Sequence, residues 1–335
     1  MSKNITIKDI AQEAGVSIAL VSFVMNNRIG ADGKQKYRVS AATRERILEV
    51  ARRLNYQPNS AARTLRQGRT HVLGVLLSDM GNIFYGIIAH HLEKVAHDNG
   101  YTILFGSTEE DPERFSRLVQ SFLEKDVEGF IVVPCQGCEA AMHRLMASGR
   151  PFVVIDRHHP DFDVPYVLTD NADAMRQAIQ AIRRQGATKI AMVSYAMRIS
   201  SMTDREDTFR EMLGPDACIY RMPFNLTDAD ADKVAEDIIQ TGTNGLITAS
   251  NVPSVAVLKA LFRRGVHIQK DIRIVGFDYS NVYGFFDPPI TYILQPLPQM
   301  AKEAADYLFR LIDLKEKDGD IGSVKERIIL KAALK

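Results

Sequence analysis

The chain has 335 residues, 46% of them hydrophobic and 25% charged, which is typical of a folded protein with two or three domains. No apolar run approaches the roughly 18–20 residues that a membrane-spanning helix needs, and the charged, amphipathic N-terminus has no secretory core. We therefore expect a cytoplasmic protein that has no membrane partner.

The net charge of +1 is divided unevenly along the chain. Residues 1–69 hold 13 Lys and Arg against 5 Asp and Glu, a net charge of +8, so the remainder carries −7. A basic head on an acidic body is typical of a polyanion-binding module joined to a part that should not bind polyanions. Charge alone leaves a nucleic acid and an anionic membrane surface both open.

The head predicts three short amphipathic helices. The first begins at Thr6, with an acid three residues later in the manner of a capping box, and ends at Gly15. Ser17 can cap a second helix over about 18–26, and a third helix follows Ser40. Two short helices joined by a tight glycine turn, with a third closing the core, make a helix-turn-helix. Helix count alone leaves a protein-interaction bundle open.

The stretches TIKDIAQEAGVSIALVSFVMNN and VSAATRERILEVARRLNYQPNSAARTLR resemble the DNA-binding signature of the lactose/galactose repressor (LacI/GalR) family. The resemblance implies that helix 18–26 enters the major groove with Ile18, Ala19 and Phe23 toward base edges. These positions are apolar here, which favours contact with thymine methyl groups over hydrogen bonds to bases. The positions that the resemblance assigns to DNA are Thr6, Ser17, Ile18, Ala19, Leu20, Ser22, Phe23, Asn26, Arg28, Tyr56, Asn59, Ala62, Leu65 and Arg66.

Residues 28–38 make a longer link between the second and third helices than is usual in that family. Their glycine and charge content predicts an exposed loop. Its basic residues could add phosphate contacts, and a merely solvated loop is equally compatible with the sequence.

Residues 58–66 begin with Pro58, which is followed by about two turns of good helix formers, too few for a helix that is stable alone in water. The resemblance implies a hinge helix that becomes ordered on the operator in the dimer. Leu65 would then be wedged into the minor groove beside Arg66. The alternative is an inert linker.

From Val72 onward, short apolar runs alternate with longer helical stretches. The runs are VLGVLL, TILFG, GFIVVP, FVVID, KIAMVS, GLITAS and RIVGFD. Runs rich in Val and Ile are typical of parallel strands buried on both faces, so we expect an α/β body of two doubly wound lobes. Ligands bind at the carboxyl ends of such strands. Polar residues collect at these strand ends, although some of them will cap helices. They are Asp79, Gly106–Ser107, Asp156–Arg157, Ser194, Ser250–Asn251 and Asp278.

The pieces DVEGFIVVP, FVVIDR, LTDN, IVGFD and ITYILQP are similar to the periplasmic-binding-protein-like (type I) effector domain of the same family. The resemblance implies a helix-turn-helix head at 1–57, a hinge at 58–70 and an effector domain at 71–335. Its first lobe would be about 71–168 plus 293–320, and its second 169–290 plus 321–335. The effector-binding positions would be Phe84, Tyr85, Asp156, Arg157, Asn171, Arg205, Asn251 and Asp278. Asn251-Val252 replaces the family's Asn-Asp pair, so the identity of the effector cannot be inferred from the best-known members of the family.

The sequence contains none of the nucleotide-binding, hydrolase or metalloprotease motifs, so we expect no enzyme, no cofactor and no metal ion. Cys135 and Cys138 match C-x-x-C, which leaves redox or zinc use open beside two reduced thiols in a loop. Asp228, Asp230 and Asp232 lack the glycine and closing glutamate of a calcium loop and fit a helix N-terminus better.

Together these features predict a homodimeric transcription repressor that binds a pseudo-palindromic double-stranded operator under the control of a small molecule. A carbohydrate is the first expectation for that effector, and a nucleoside or purine the second. The alternative is a two-lobed sugar- or nucleoside-binding protein, or an enzyme, without a regulatory role on DNA.

Overall fold

The computed structural model describes residues 5–25, 39–56 and 68–335. The chain divides into two compact units, a head over 1–69 and a body over 70–335. No helix within the described ranges combines the length and the apolar character needed to cross a bilayer.

The head contains the three predicted helices, α1 (Ile7–Ala14), α2 (Ile18–Met25) and α3 (Ala41–Arg53). The Thr6 backbone N–H donates to Asp9 Oδ2 over 2.8 Å at the start of α1. Gly15 ends α1 with a left-handed φ of 62°, a conformation that glycine adopts without strain. The Leu20 backbone N–H donates to Ser17 Oγ over 3.2 Å, which caps α2. The predicted capping at both helix starts is therefore confirmed.

The first lobe of the body is built on a six-stranded sheet. Its strands are β1 (Val72–Leu77), β2 (Thr102–Ser107), β3 (Gly129–Val132), β4 (Phe152–Ile155), β5 (Tyr166–Thr169) and β11 (Arg327–Leu330). They lie in the order β11-β5-β4-β3-β1-β2, and every neighbouring pair is parallel. The helices α4 (Ile83–Asp98), α5 (Pro112–Glu124) and α6 (Glu139–Ala147) connect the first four strands.

The second lobe repeats this plan. Its strands are β6 (Ile190–Tyr195), β7 (Ile219–Met222), β8 (Gly245–Thr248), β9 (Arg273–Phe277), β10 (Thr291–Leu294) and β12 (Ala333–Leu334). They lie in the order β12-β10-β9-β8-β6-β7, with only β12 antiparallel to its neighbour. Its helices are α7 (Asn171–Arg184), α8 (Ser200–Leu213), α9 (Asp228–Thr241) and α10 (Asn251–Arg263), with a 3-10 turn at Asn281–Phe285.

The central strands are buried on both faces, as their Val- and Ile-rich runs predict. Val75 and Leu77 of β1 belong to one apolar cluster, whereas Leu76 between them belongs to another with Phe115. Successive side chains of a strand point to opposite faces, so this division places helices on both sides of the sheet. The predicted doubly wound α/β class is confirmed.

The chain returns to the first lobe late in the sequence. After β10, helix α11 (Leu297–Glu316) packs against α4, β3 and β4. A 3-10 turn at Ile321–Ser323 then leads into β11, which pairs in parallel with β5. The assignment of 321–335 to the second lobe is therefore wrong for 321–330, and only β12 crosses back to pair with β10. The first-lobe segment expected to begin at 293 starts after β10, because β10 lies in the second sheet.

Candidate effector cleft and DNA-binding surface

Two aspartates mark equivalent places in the two lobes. Asp156 follows β4 and Asp278 follows β9, and these strands occupy the same position in their sheets. Both residues have a left-handed backbone, with φ of 69° and 67°. They are 7% and 5% exposed. The carboxyl ends of both sheets thus deliver one buried carboxyl each to the space between the lobes, as the sequence predicts.

A cleft lies between the lobes at these strand ends. Six of the eight predicted effector positions line it, namely Phe84, Tyr85, Asp156, Arg157, Arg205 and Asp278. Further lining residues come from both lobes: Ser78, Asn82, Glu110, Tyr195, Met197, Ile199, Ser201, Met202, Phe224, Ser250 and Gln295. Its walls therefore combine aromatic and aliphatic surface with a few charged and amide groups, as small polar ligands require.

Asp156 lies in a hydrogen-bonded cluster of the first lobe. The Tyr85 hydroxyl donates to Asp156 Oδ2 over 2.9 Å. Arg157 Nε lies 3.9 Å from the same oxygen. Burial raises the pKa of Asp156, while the nearby Arg157 and Arg205 guanidiniums oppose that rise. Burial likewise raises the pKa of Tyr85 well above its usual value, so its hydroxyl stays protonated as a donor.

Asp278 is the corresponding acceptor of the second lobe. Gln295 Nε2 donates to Asp278 Oδ1 over 2.7 Å. Burial raises the pKa of Asp278 to about 6, against the opposing effects of the Arg205 charge and the Gln295 hydrogen bond. Gln295 Oε1 is buried and has no hydrogen-bond partner among the described residues.

Arg205 of α8 is 2% exposed and is held from three directions. Its Nε donates to Asn171 Oδ1 over 2.8 Å, and Nη1 donates to the Ala249 carbonyl oxygen over 2.5 Å. Its guanidinium carbon lies 3.9 Å from the centre of the Phe277 ring. Asn171 therefore lies behind Arg205 and is not among the residues that line the cleft, and its direct contact with an effector stays a prediction.

Asn251 contacts the other lobe, and its predicted role as an effector contact stays a prediction. Its Nδ2 donates over 2.9 Å to Oδ1 of Asn82, which belongs to the other lobe, and Asn251 does not line the cleft. The His158 backbone N–H donates to Ser200 Oγ over 2.9 Å, and the Arg198 backbone N–H donates to Gln136 Oε1 over 3.3 Å. These hydrogen bonds join the two lobes, so Asn251 has a binding partner in the protein itself.

Glu110 is the main residue of the cleft that sequence reasoning missed. Its Oε1 accepts hydrogen bonds from Arg157 Nη2 and from the Ser78 hydroxyl. Its Oε2 is buried without a partner among the described residues. The available signal was its place in the loop that follows β2, at the same sheet edge as Asp156.

Cys135 and Cys138 are both buried in an apolar cluster of the first lobe. No group of three or more His, Cys, Asp or Glu within the described ranges is arranged to hold a metal ion. Thr227 and Asp230 form a capping box at the start of α9, with a 2.7 Å bond from the Thr227 backbone N–H to Asp230 Oδ2. This acidic stretch is therefore used as a helix N-terminus.

The predicted DNA surface is only partly described. Ser17, Ile18 and Ala19 are exposed on the head, with Ile18 49% exposed, and Thr6 is exposed as well. Leu20, Ser22 and Tyr56 are half-buried. Six predicted positions, Asn26, Arg28, Asn59, Ala62, Leu65 and Arg66, lie outside the described residues, as do the 28–38 loop and the hinge.

Phe23 does not fit the predicted contact with base edges. It is 7% exposed and belongs to the core of the head with Ile10, Val21 and Ile47. An aromatic ring packed in the core stabilises the three helices, so the recognition surface of α2 must come from its exposed positions.

Two family models match the chain. A model of bacterial regulatory proteins of the lacI family matches residues 6–59, and a model of a periplasmic binding protein domain matches residues 73–317. The chain is 30% identical over 319 residues to the sucrose operon repressor of Klebsiella pneumoniae, covering 93% of each chain. It is 29% identical over 311 residues to the ribose operon repressor of Bacillus subtilis, covering 92% of this chain and 91% of that one. A solved lac repressor dimer bound to operator and an anti-inducer has a similar fold, with a TM-score of 0.82, 21% identity and coverage of 99% of this chain and 98% of that one.

Proposed function

Since the chain belongs to the LacI family of bacterial regulatory proteins, we propose that it represses transcription by binding an operator and that a carbohydrate in the cleft controls this binding. The observation that carries the proposal is the combination, in one chain, of a helix-turn-helix head and a cleft lined by hydroxyl-binding side chains. A ligand-binding protein without a regulatory role would not need the head.

The head supplies the affinity for DNA. Its charge of +8 favours the phosphate backbone, and this attraction weakens as salt rises, because binding releases counterions. The exposed Ile18 and Ala19 of α2 offer apolar contact to thymine methyl groups in the major groove. We propose that Ser17 and Ser22 contact phosphates, which position the helix without reading the sequence.

The cleft suits a polyhydroxyl ligand. Asp156 and Asp278 face it from opposite lobes and can accept hydrogen bonds from hydroxyl groups, while Arg157 and Arg205 provide donors. Phe84 lines the same space and can pack against the apolar face of a sugar ring. The names of the Klebsiella and Bacillus relatives, repressors of sucrose and ribose operons, support this ligand class.

Control of DNA binding requires that the effector favour one arrangement of the two lobes over another. The cleft has the form needed for this, since groups from both lobes surround the same space. Hydrogen bonds between the lobes, such as that from Asn251 to Asn82, would strengthen or break as the lobes move. An effector that contacts Asp156 and Asp278 at the same time would therefore favour one distance between the two lobes.

We further propose that the protein acts as a homodimer in the cytoplasm, by binding alone and without catalysis. A twofold dimer presents two heads, so the operator would be pseudo-palindromic. Leu65 and Arg66 would contact the minor groove at its centre, as the family resemblance implies.

The experiment begins by selecting duplexes that the full chain retains from a random pool, followed by fluorescence anisotropy on the enriched sequence. Sugars are then added to the complex, with ribose and sucrose first. The expected result is enrichment of an inverted repeat and a change in affinity with at least one sugar. Enrichment of no sequence would refute operator binding. An unchanged affinity with every sugar, beside a response to a nucleoside or purine, would refute the carbohydrate assignment.

A further inference from the structure

The buried ion pair with Glu110 offsets the charge of Arg157 that a ligand anion would otherwise meet. The Arg157 side chain is 2% exposed and that of Glu110 is 7% exposed. Glu110 also accepts from Ser78, and Asp156 lies on the other side of Arg157 at 3.9 Å. A charge-assisted pair in a desolvated site is costly to break, because each partner would then be left buried and uncompensated.

Arg205 is occupied in the same way. An amide oxygen, a carbonyl oxygen and an aromatic ring hold its guanidinium. These contacts fix the plane of the guanidinium, and a phosphate that bound along its Nε edge would have to displace Asn171. The cleft thus contains two cations, and each already has partners within the protein.

The polar atoms that lack partners show what the cleft can bind. Within the described parts of the chain, Glu110 Oε2 and Gln295 Oε1 are buried acceptors without a hydrogen bond, and Arg157 Nε is a buried donor without one. A sugar hydroxyl can donate to one group and accept from another. A phosphate group in the place of such a hydroxyl only accepts, so it would leave the acceptor oxygen that it faces unsatisfied and, near Glu110, would add negative charge beside a carboxylate.

Charge counting leads to the same conclusion. Three carboxyl groups line the cleft, from Glu110, Asp156 and Asp278, against the guanidiniums of Arg157 and Arg205. Like charges repel more strongly in a desolvated cleft than in water. We propose that Glu110 makes the cleft specific for an unphosphorylated polyhydroxyl effector and excludes the phosphate ester of the same sugar. This inference rests on the proposed function, in which the cleft binds a carbohydrate.

The first test compares each sugar with its own phosphate ester. Ribose, glucose, fructose and sucrose are titrated into the full chain beside their monophosphates, by thermal shift and calorimetry. The expected result is that the ester of any sugar that binds has an affinity at least about ten-fold lower. An ester that binds as tightly as its parent sugar, or more tightly, overturns the inference. If neither form of any sugar binds, the carbohydrate assignment fails, and the second test still decides the role of Glu110.

The second test needs no knowledge of the effector. Glu110→Gln removes the carboxylate charge beside Arg157 at nearly constant shape. Glu109→Gln is the matched control, since Glu109 accepts from Ser107 and does not line the cleft. The probe is inorganic phosphate, compared with chloride at equal ionic strength. Any binding of phosphate to the basic head is the same in all three chains, so differences report the body.

The expected result is that phosphate raises the unfolding temperature of Glu110→Gln by more than it raises that of the unmodified chain or of Glu109→Gln. The freed Arg157 would then have become an anion site. An equal response in all three chains overturns the proposal, because Glu110 would then not be what excludes anions. Sugar binding gives a second readout: Glu110→Gln should weaken the affinity of a sugar that binds by about ten-fold, and Glu109→Gln should not.

Discussion

Replacing Asp278 by asparagine should make the protein more stable at neutral pH while impairing its response to effector. Burial raises the pKa of Asp278 from 3.8 to about 6, so ionising this carboxyl costs free energy in the folded body. Raising a pKa by one corresponds to about 1.4 kcal/mol, so the rise to about 6 gives a penalty of about 3 kcal/mol above pH 6. Asparagine keeps an oxygen for Gln295 and never ionises.

The sign follows from the raised pKa. Stability from a group whose folded-state pKa is raised is fully present below the unfolded value near 4 and is lost as pH rises through the folded value near 6. Gln295, Arg205 and Asp156 surround this carboxyl, and their effects on its pKa are already part of the value of about 6. The difference in unfolding free energy between Asp278→Asn and the unmodified chain should therefore be larger at pH 7.5 than at pH 4 by about 2 kcal/mol, because the unfolded-state carboxyl is already partly ionised at pH 4.

The assay is urea unfolding of the full chain at a series of pH values, followed by circular dichroism. Asp79→Asn serves as a control, because Asp79 is a partly buried acid at the end of β1 that does not line the cleft. A constant difference across this pH range would refute the reasoning, since the effect would then come from packing. Effector affinity should fall about ten- to hundred-fold in Asp278→Asn, because a charge-assisted hydrogen bond is weakened, with operator binding retained. A normal effector response would remove Asp278 from the site.

Three further predictions concern other parts of the chain. A chain of residues 70–335 should lose operator binding in anisotropy assays, and effector should still raise its unfolding temperature, because the body is a compact unit. Specific DNA binding by that chain would contradict the role of the head. Leu65→Ala should weaken specific binding more than non-specific binding, since an apolar side chain inserted in the minor groove offsets the free energy of unstacking a base step. Equal losses of affinity for operator and for random DNA in a titration would indicate a passive linker. Tyr85→Phe removes the 2.9 Å hydrogen bond to Asp156 and should lower the affinity for effector, measured by calorimetry, by up to about ten-fold. An unaltered affinity would show that the Tyr85 hydroxyl does not position the Asp156 carboxyl.

The amino-acid sequence was sufficient to predict the helix-turn-helix head, the doubly wound class of the body and the two aspartates of the cleft. These are local properties: a capping residue such as Thr6 acts within one turn of its helix, and an apolar run identifies a buried strand whose last residue meets the ligand edge. Asp156 and Asp278 follow such runs directly, so their placement needed no knowledge of how the strands are ordered.

Which side chains meet depends on the tertiary structure. Glu110 reaches Arg157 because β2 and β4 end at the same edge of one sheet, although 47 residues separate the two along the chain. Asn171 accepts a hydrogen bond from Arg205, and Asn251 donates one to the other lobe. Strand β11 pairs within the first sheet, and Phe23 lies in the core of the head. Residue type and spacing specify each element and its buried face. The lateral order of strands and the partners of buried polar groups depend on how those elements pack, because an unpaired polar group takes whichever partner packing brings within hydrogen-bonding distance.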